Sequence, residues 1–148
     1  MKKILILFTL VATLIFATTS CHKYEDGGYA SKNRLKGTWK VKEVTINGEK
    51  QPIEAIGGDF KFIFEKNGTG KFLIELAITP KWTFDWAFVD NKENLEIKNI
   101  KYEGTFQIPG IEAILLYIPD KCKILKLTKD DLWLKNTDSI PSIIKLTK

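Results

Sequence analysis

Histidine is almost absent from this chain, which holds one, His22, in 148 residues. Cysteine is nearly as scarce, with Cys21 and Cys122 only. A hydrolase or transferase of the Ser-His-Asp or Cys-His kind needs a nucleophile held beside a base. A lone histidine in a polar stretch near the N-terminus cannot be held against a distant serine, so that chemistry is excluded. The same scarcity leaves too few ligands for a four-coordinate zinc shell, and no Asp-rich loop has calcium spacing. No metal and no cofactor is therefore expected. Arg34 is the single arginine, and no lysine block exists, so the net charge of +5 gives no support for nucleic acid. No glycine-rich loop leads from a strand into a helix, so no phosphate cradle is present. The helical period is scarcely visible after residue 33, and no apolar run reaches the roughly 20 residues that span a bilayer as a helix.

What is present begins at the N-terminus. Met1-Lys2-Lys3 is followed by an apolar stretch over residues 4–17 and then by Thr18-Thr19-Ser20-Cys21. A positive segment, a short apolar segment and small residues make a secretory signal, because the lysines stay behind while the apolar part enters the translocation machinery. With a cysteine at the cleavage point the segment resembles a bacterial lipoprotein signal. That resemblance implies that residues 1–20 are removed and that Cys21 is acylated, with palmitate-class chains, as the mature N-terminus. It also implies attachment to the outer membrane, on its periplasmic or its surface face. Thr18 departs from the aliphatic residue usual at that position. The alternative is an ordinary signal peptide with Cys21 a plain thiol. Loss of Lys2 and Lys3 would lower the net charge to +3. Residues 21–33 are rich in glycine, serine and charge, and read as a flexible lipid-anchored tether. Residues 34–148 suit one domain with one core. With Cys21 acylated, Cys122 has no disulfide partner, and its place on an alternating segment predicts a core-facing side chain.

From residue 34 on, alternation and β-branched or aromatic residues dominate. Strands are predicted over residues 37–46, 60–65, 71–78, 82–88, 95–100, 102–108, 111–118, 121–128, 132–135 and 142–148. The apolar face shifts between Val41 and Val44, as a bulge would cause. Asn47-Gly48 and Asn67-Gly68 are hairpin turn signals, and a further hairpin is expected around residues 99–101. Residues 51–58 are the one stretch suited to a short helix or lid loop. Eight to ten strands with frequent turns predict an all-β meander closed into a barrel or a sandwich.

Within that pattern Gly37-Thr38-Trp39 opens the first strand, and residues 124–132 read Ile-Leu-Lys-Leu-Thr-Lys-Asp-Asp-Leu. These features, with the preceding cysteine, resemble lipocalin-like lipoproteins of Bacteroidota. The resemblance covers residues 34–148 and implies a single antiparallel up-and-down lipocalin-like barrel. Two features of true lipocalins are missing. There is no Thr-Asp-Tyr-type motif in the middle strands, and no late arginine to cover Trp39, for which Lys145 is the substitute considered.

The candidate site is the barrel interior: Trp39, Phe60, Phe62, Phe64, Trp82, Phe84, Trp86 and Phe88. An eight-stranded barrel holds one small ligand or is filled by side chains, and rings of this size can do the filling themselves. Glu75 and Asp85, if both pointed inward, would form a general-acid pair; the alternation around Asp85 favours the outside. Asp138-Ser139-Ile140 matches an O-glycosylation pattern of Bacteroidota, at Ser139. The function expected is membrane-anchored binding of a small hydrophobic or amphiphilic ligand, with no catalytic residues. The alternative is a non-catalytic accessory module of the cell envelope that binds a partner protein or glycan.

Overall fold

The computed structural model describes residues 23–104, 120–136 and 140–148. Among them nine strands form one antiparallel sheet: β1 (Gly37–Ile46), β2 (Glu49–Lys50), β3 (Asp59–Phe64), β4 (Thr69–Glu75), β5 (Lys81–Val89), β6 (Asn94–Glu103), β7 (Lys121–Leu127), β8 (Asp131–Asn136) and β9 (Ser142–Thr147). From β3 onward each strand pairs with the next, and β9 returns to β1. The sheet is thus a closed eight-stranded barrel, with the two-residue β2 added at the end of β1. Closure removes the unpaired edges that an open sheet would expose. The strand expected over 111–118 lies outside the described residues.

Alternation decides which side chains enter the barrel. Phe60, Phe62 and Phe64 on β3, and Leu132, Leu134 and Asn136 on β8, are buried, while their neighbours are partly exposed. In β1 the register shifts between Val41 and Glu43. That bulge turns both Val41 and Val44 inward, as the sequence predicts. β6 differs from expectation, because it runs unbroken through residues 99–101. Asn99 and Ile100 there stand together opposite Phe84, between the pairs Thr83↔Lys101 and Asp85↔Lys98. Asn99 has φ of 54° and donates from Nδ2 to Asp85 Oδ2 at 2.7 Å. Asparagine tolerates this left-handed backbone in a bulge as readily as in a hairpin, which is why the sequence signal was ambiguous.

One end of the barrel is plugged. The short helix α1 (Lys32–Leu35) lays Leu35 across it. Trp39, fully buried, donates its indole N–H to Leu35 O at 2.6 Å. The cation over Trp39 is Lys148, 4.5 Å from the ring centre, and not Lys145. Lys145 faces outward on β9 because Ile144 and Leu146 face in. It covers the outer ring of Trp133 at 4.9 Å, with Lys126 also over that ring at 4.6 Å.

The segment read as a flexible tether is docked on the barrel from Lys23. Tyr24 is buried and donates its hydroxyl to Lys92 O at 2.9 Å. Asp26 N donates to Leu125 O at 2.9 Å, and Leu127 N donates to Gly27 O at 3.1 Å. The polar composition that suggested a linker instead supplies turn residues and β7 pairing, with one aromatic as anchor.

Two predictions follow from packing. A Cβ on Gly70 would lie 2.3 and 2.4 Å from the Phe84 ring and 2.8 Å from Ile63 O. Gly70→Ala therefore lowers stability by about 1–3 kcal/mol, the usual effect of overpacking, read from the urea midpoint. Burial holds the Tyr24 phenol's pKa above its ordinary value. The folded chain keeps that proton where the unfolded tyrosine loses it, above about pH 10. Tyr24 thus contributes stability below that pH and loses it as pH rises. Urea midpoints from pH 8 to 11 should fall more steeply for the native chain than for Tyr24→Phe.

Candidate functional site: an aromatic lumen with a cleft at its mouth

Strand register stacks the inward rings in rungs. Trp39 pairs with Phe62, Phe62 with Phe72, Phe72 with Trp82, and Trp82 with Tyr102. One aromatic residue thus stands on each of five consecutive strands. Phe62–Phe72, Phe72–Trp82 and Trp82–Tyr102 have ring centres 4.8, 5.5 and 5.1 Å apart, within the range of favourable aromatic pairs. Nearer the plugged end a second group forms. Phe64 meets Phe84 edge-on at 5.6 Å and Trp86 at 5.8 Å, and Phe84 occupies the space that Gly70 leaves. Trp86 donates its indole N–H to Glu65 O at 3.0 Å and Thr69 O at 2.9 Å, which ties the ring to the β3–β4 turn.

Of the eight expected rings, seven are buried in the lumen: Trp39, Phe60, Phe62, Phe64, Trp82, Phe84 and Trp86. Phe88 is half-buried and packs edge-on against Trp86 at 5.7 Å. The rings toward the plugged end touch one another, so there they act as packing. Cys21 and Ser139 lie outside the described residues.

Among the described residues the opposite end carries no such plug and forms the mouth. There β1 leaves β3: the two pair only from Gly37↔Phe64 to Lys40↔Lys61. Past that point no strand pairs with the same edge of β1 until β2 joins it at Thr45 and Ile46, beside Val44 O, which accepts from Gln51 N at 2.8 Å. The gap is a cleft of about 530 Å³. Val41, Phe60 and Ile53 supply its apolar lining. Ile53 belongs to a 3-10 turn, Ile53–Ile56, within the stretch predicted to be a short helix or lid. Gly57 ends that turn with φ of 76°, and a Cβ on Gly58 would lie 2.9 Å from Glu75 O, so the loop can pass close to β4. Lys40, Asp59 and Glu75 stand at the rim; Lys40 pairs with Asp59 at 2.7 Å, and Glu75 with Lys61 at 2.6 Å. Phe60 alone of the eight expected rings lines this cleft.

Two polar side chains are buried among the described residues, Asn136 and Ser142. They are register partners at the mouth end of β8 and β9, on inward positions. Ser142 is 3% exposed, and its Oγ has no hydrogen-bond partner among the described residues. The sequence reading missed this pair, although alternation from Leu134 and Ile144 points both inward. Among the described residues no ionisable group is buried in the lumen apart from the Cys122 thiol and the Tyr24 phenol. Glu75 and Asp85 do not meet. Glu75 is opposite Asp59 and Asp85 opposite Thr69, and both are exposed. Cys122 is buried, as expected of a core-facing thiol.

No protein-family model matches this sequence, and no curated protein matches it. Solved structures do. A lipocalin-like protein from Bacteroides uniformis is similar with a TM-score of 0.53 at 14% identity, over 76% of this chain and 97% of that one. A protein from Burkholderia xenovorans is similar with a TM-score of 0.52 at 11% identity, over 86% of this chain and 98% of that one. At such identities the likeness is one of fold: this chain is a lipocalin-like β-barrel.

An unpaired buried hydroxyl costs about 1–3 kcal/mol. Ser142→Ala should therefore raise the stability of the ligand-free protein, by about 1 kcal/mol, seen as a higher urea midpoint with an unchanged slope. A fall of that size would mean that the hydroxyl has a partner in solution.

Proposed function

We propose that this protein is a membrane-anchored lipoprotein whose barrel binds a small hydrophobic or amphiphilic ligand at its mouth, without covalent chemistry. The observation that carries the reading is the cleft of about 530 Å³ between β1 and β3, whose apolar lining is Val41, Phe60 and Ile53. That volume lies within the range of small-molecule sites, which are mostly apolar with a few polar groups. Lys40, Lys42, Glu54, Asp59 and Glu75, which also line the cleft, are the polar groups suited to an amphiphile's head. Acylated Cys21 is the anchor in this reading, and the outer membrane is the compartment, by the resemblance of residues 1–21 to a lipoprotein signal.

A second reading has an observation of its own. The lower lumen is filled with rings, and Trp133 lies on the outer wall beside Lys126 and Lys145. A barrel used as a scaffold, with its outer face meeting a partner protein or glycan, has these features.

Native mass spectrometry separates the two. Residues 22–148 would be exported from source cells and purified without detergent. Carriage gives a discrete added mass that is lost on denaturation. A bare mass that stays bare after incubation with fatty acids and lysolipids rejects carriage and leaves the scaffold.

A further inference from the structure

We infer that the plugged end of the barrel rests on the lipid surface and that the mouth points away from it. This rests on the reading of Cys21 as the acylated residue. The observation is the docked segment from Lys23 to Tyr29. Lys23 and Tyr29 bridge each other, and Gly28 bridges Leu127 in parallel. Tyr29 N donates to Leu127 O at 3.2 Å, and Lys123 forms an ion pair with Glu25. Gly28 makes this docking possible. Its φ is +85°, and a Cβ there would sit 1.8 Å from Leu127 O. No other residue lets the two backbones approach so closely.

The covalent reach sets the geometry. One residue, His22, lies between Cys21 and Lys23, and the two steps along the chain span about 7 Å when fully extended. The ten residues of β1 cover about 33 Å along the strand, and with the usual barrel tilt about 25 Å from plugged end to mouth. A leash of 7 Å fastened beside Lys92 and Leu127 holds that end near the bilayer and leaves the mouth a barrel's height away. Lys23, Lys92 and Lys129 are exposed around the attachment beside Glu25, Asp26, Asp90, Glu93 and Asp130, so the leash and not net charge sets the orientation. A ligand then enters the mouth from the aqueous side and not laterally from the bilayer that holds the anchor.

The test uses the full chain matured in its source cells and reconstituted in vesicles of phosphatidylethanolamine and phosphatidylglycerol carrying a headgroup nitroxide. Fluorophores are attached in a Cys122→Ser background at Lys129→Cys, in the β7–β8 turn of the plugged end, or at Ile78→Cys, an exposed site between β4 and β5 at the mouth. The expected result is quenching at position 129 at least threefold greater than at position 78. Adding Gly28→Ala, or a twelve-residue Gly-Ser insert after His22, should erase that difference while the barrel's circular dichroism persists. Equal quenching in the acylated chain, or greater quenching at position 78, overturns the orientation alone. A mature N-terminal peptide without acyl mass on Cys21 overturns the anchor and the orientation together.

Discussion

The meeting of Trp39 with Lys148 is the contact on which the barrel's closure depends. A meander of strands closes only if its first and last members find each other, and here β1 pairs with β9 over most of its length. At the plugged end the pairing is locked from both sides. Trp39 is held from within by Leu35 O, and from without by the Lys148 ammonium, which also donates to Arg34 O at 2.7 Å and Lys36 O at 2.9 Å. The ammonium loses part of its hydration there, which lowers its pKa. Hydrogen bonds from a charged donor contribute about 1.5–3 kcal/mol each, and the ring adds about 0.5–2 kcal/mol as a cation–π contact. Those gains favour the charged form staying in place. One lysine thereby fastens α1, β1 and the residue after β9 to a single ring.

The two ends of the lumen then differ for one backbone reason. In the plugged half β1 pairs with β3 from Gly37 to Lys40, so the inward rings of β3, β4 and β5 stack in register with Trp39 and leave little between them. At Val41 the bulge lets β1 follow β9 and abandon β3. No strand pairs with this edge between Val41 and Val44, whose carbonyl accepts from Gln51 N at 2.8 Å, and the loop through Ile53 crosses the gap. A cleft therefore forms where the strand bends, not where the aromatic residues are densest. The polar pair Asn136 and Ser142 stands at this same end, beside the loop that joins β8 and β9.

The barrel itself was legible because alternation is a strong signal when one face is buried. Phe60-Lys61-Phe62-Ile63-Phe64, Trp82 to Trp86 and Ser142 to Leu146 fix strand and facing together. The β1 bulge was legible for the same reason, since Val41 and Val44 are three apart and yet both apolar. The site was less so. Dense rings drew attention to Trp82, Phe84 and Trp86, whereas their register with Phe72, Tyr102 and Gly70, which makes them packing, is a long-range property. Lys145 and Lys148 could not be ranked as partners of Trp39 without knowing where β9 ends. The 99–101 region was misread because a positive-φ asparagine marks a bulge and a hairpin alike.

The docked segment shows how composition misleads about order. Residues 23–31 hold two glycines, a serine and three charges, the makings of a linker by sequence. Order here needs few residues: Tyr24 supplies apolar area, and backbone groups of Gly27, Gly28 and Tyr29 meet those of Leu127. Gly28 is chosen for approach and not for freedom, because contact with Leu127 O excludes any side chain. A glycine that would loosen a free linker thus fastens this one. The chain is thus fastened to the barrel from Lys23 on and not free over the dozen residues that composition suggested.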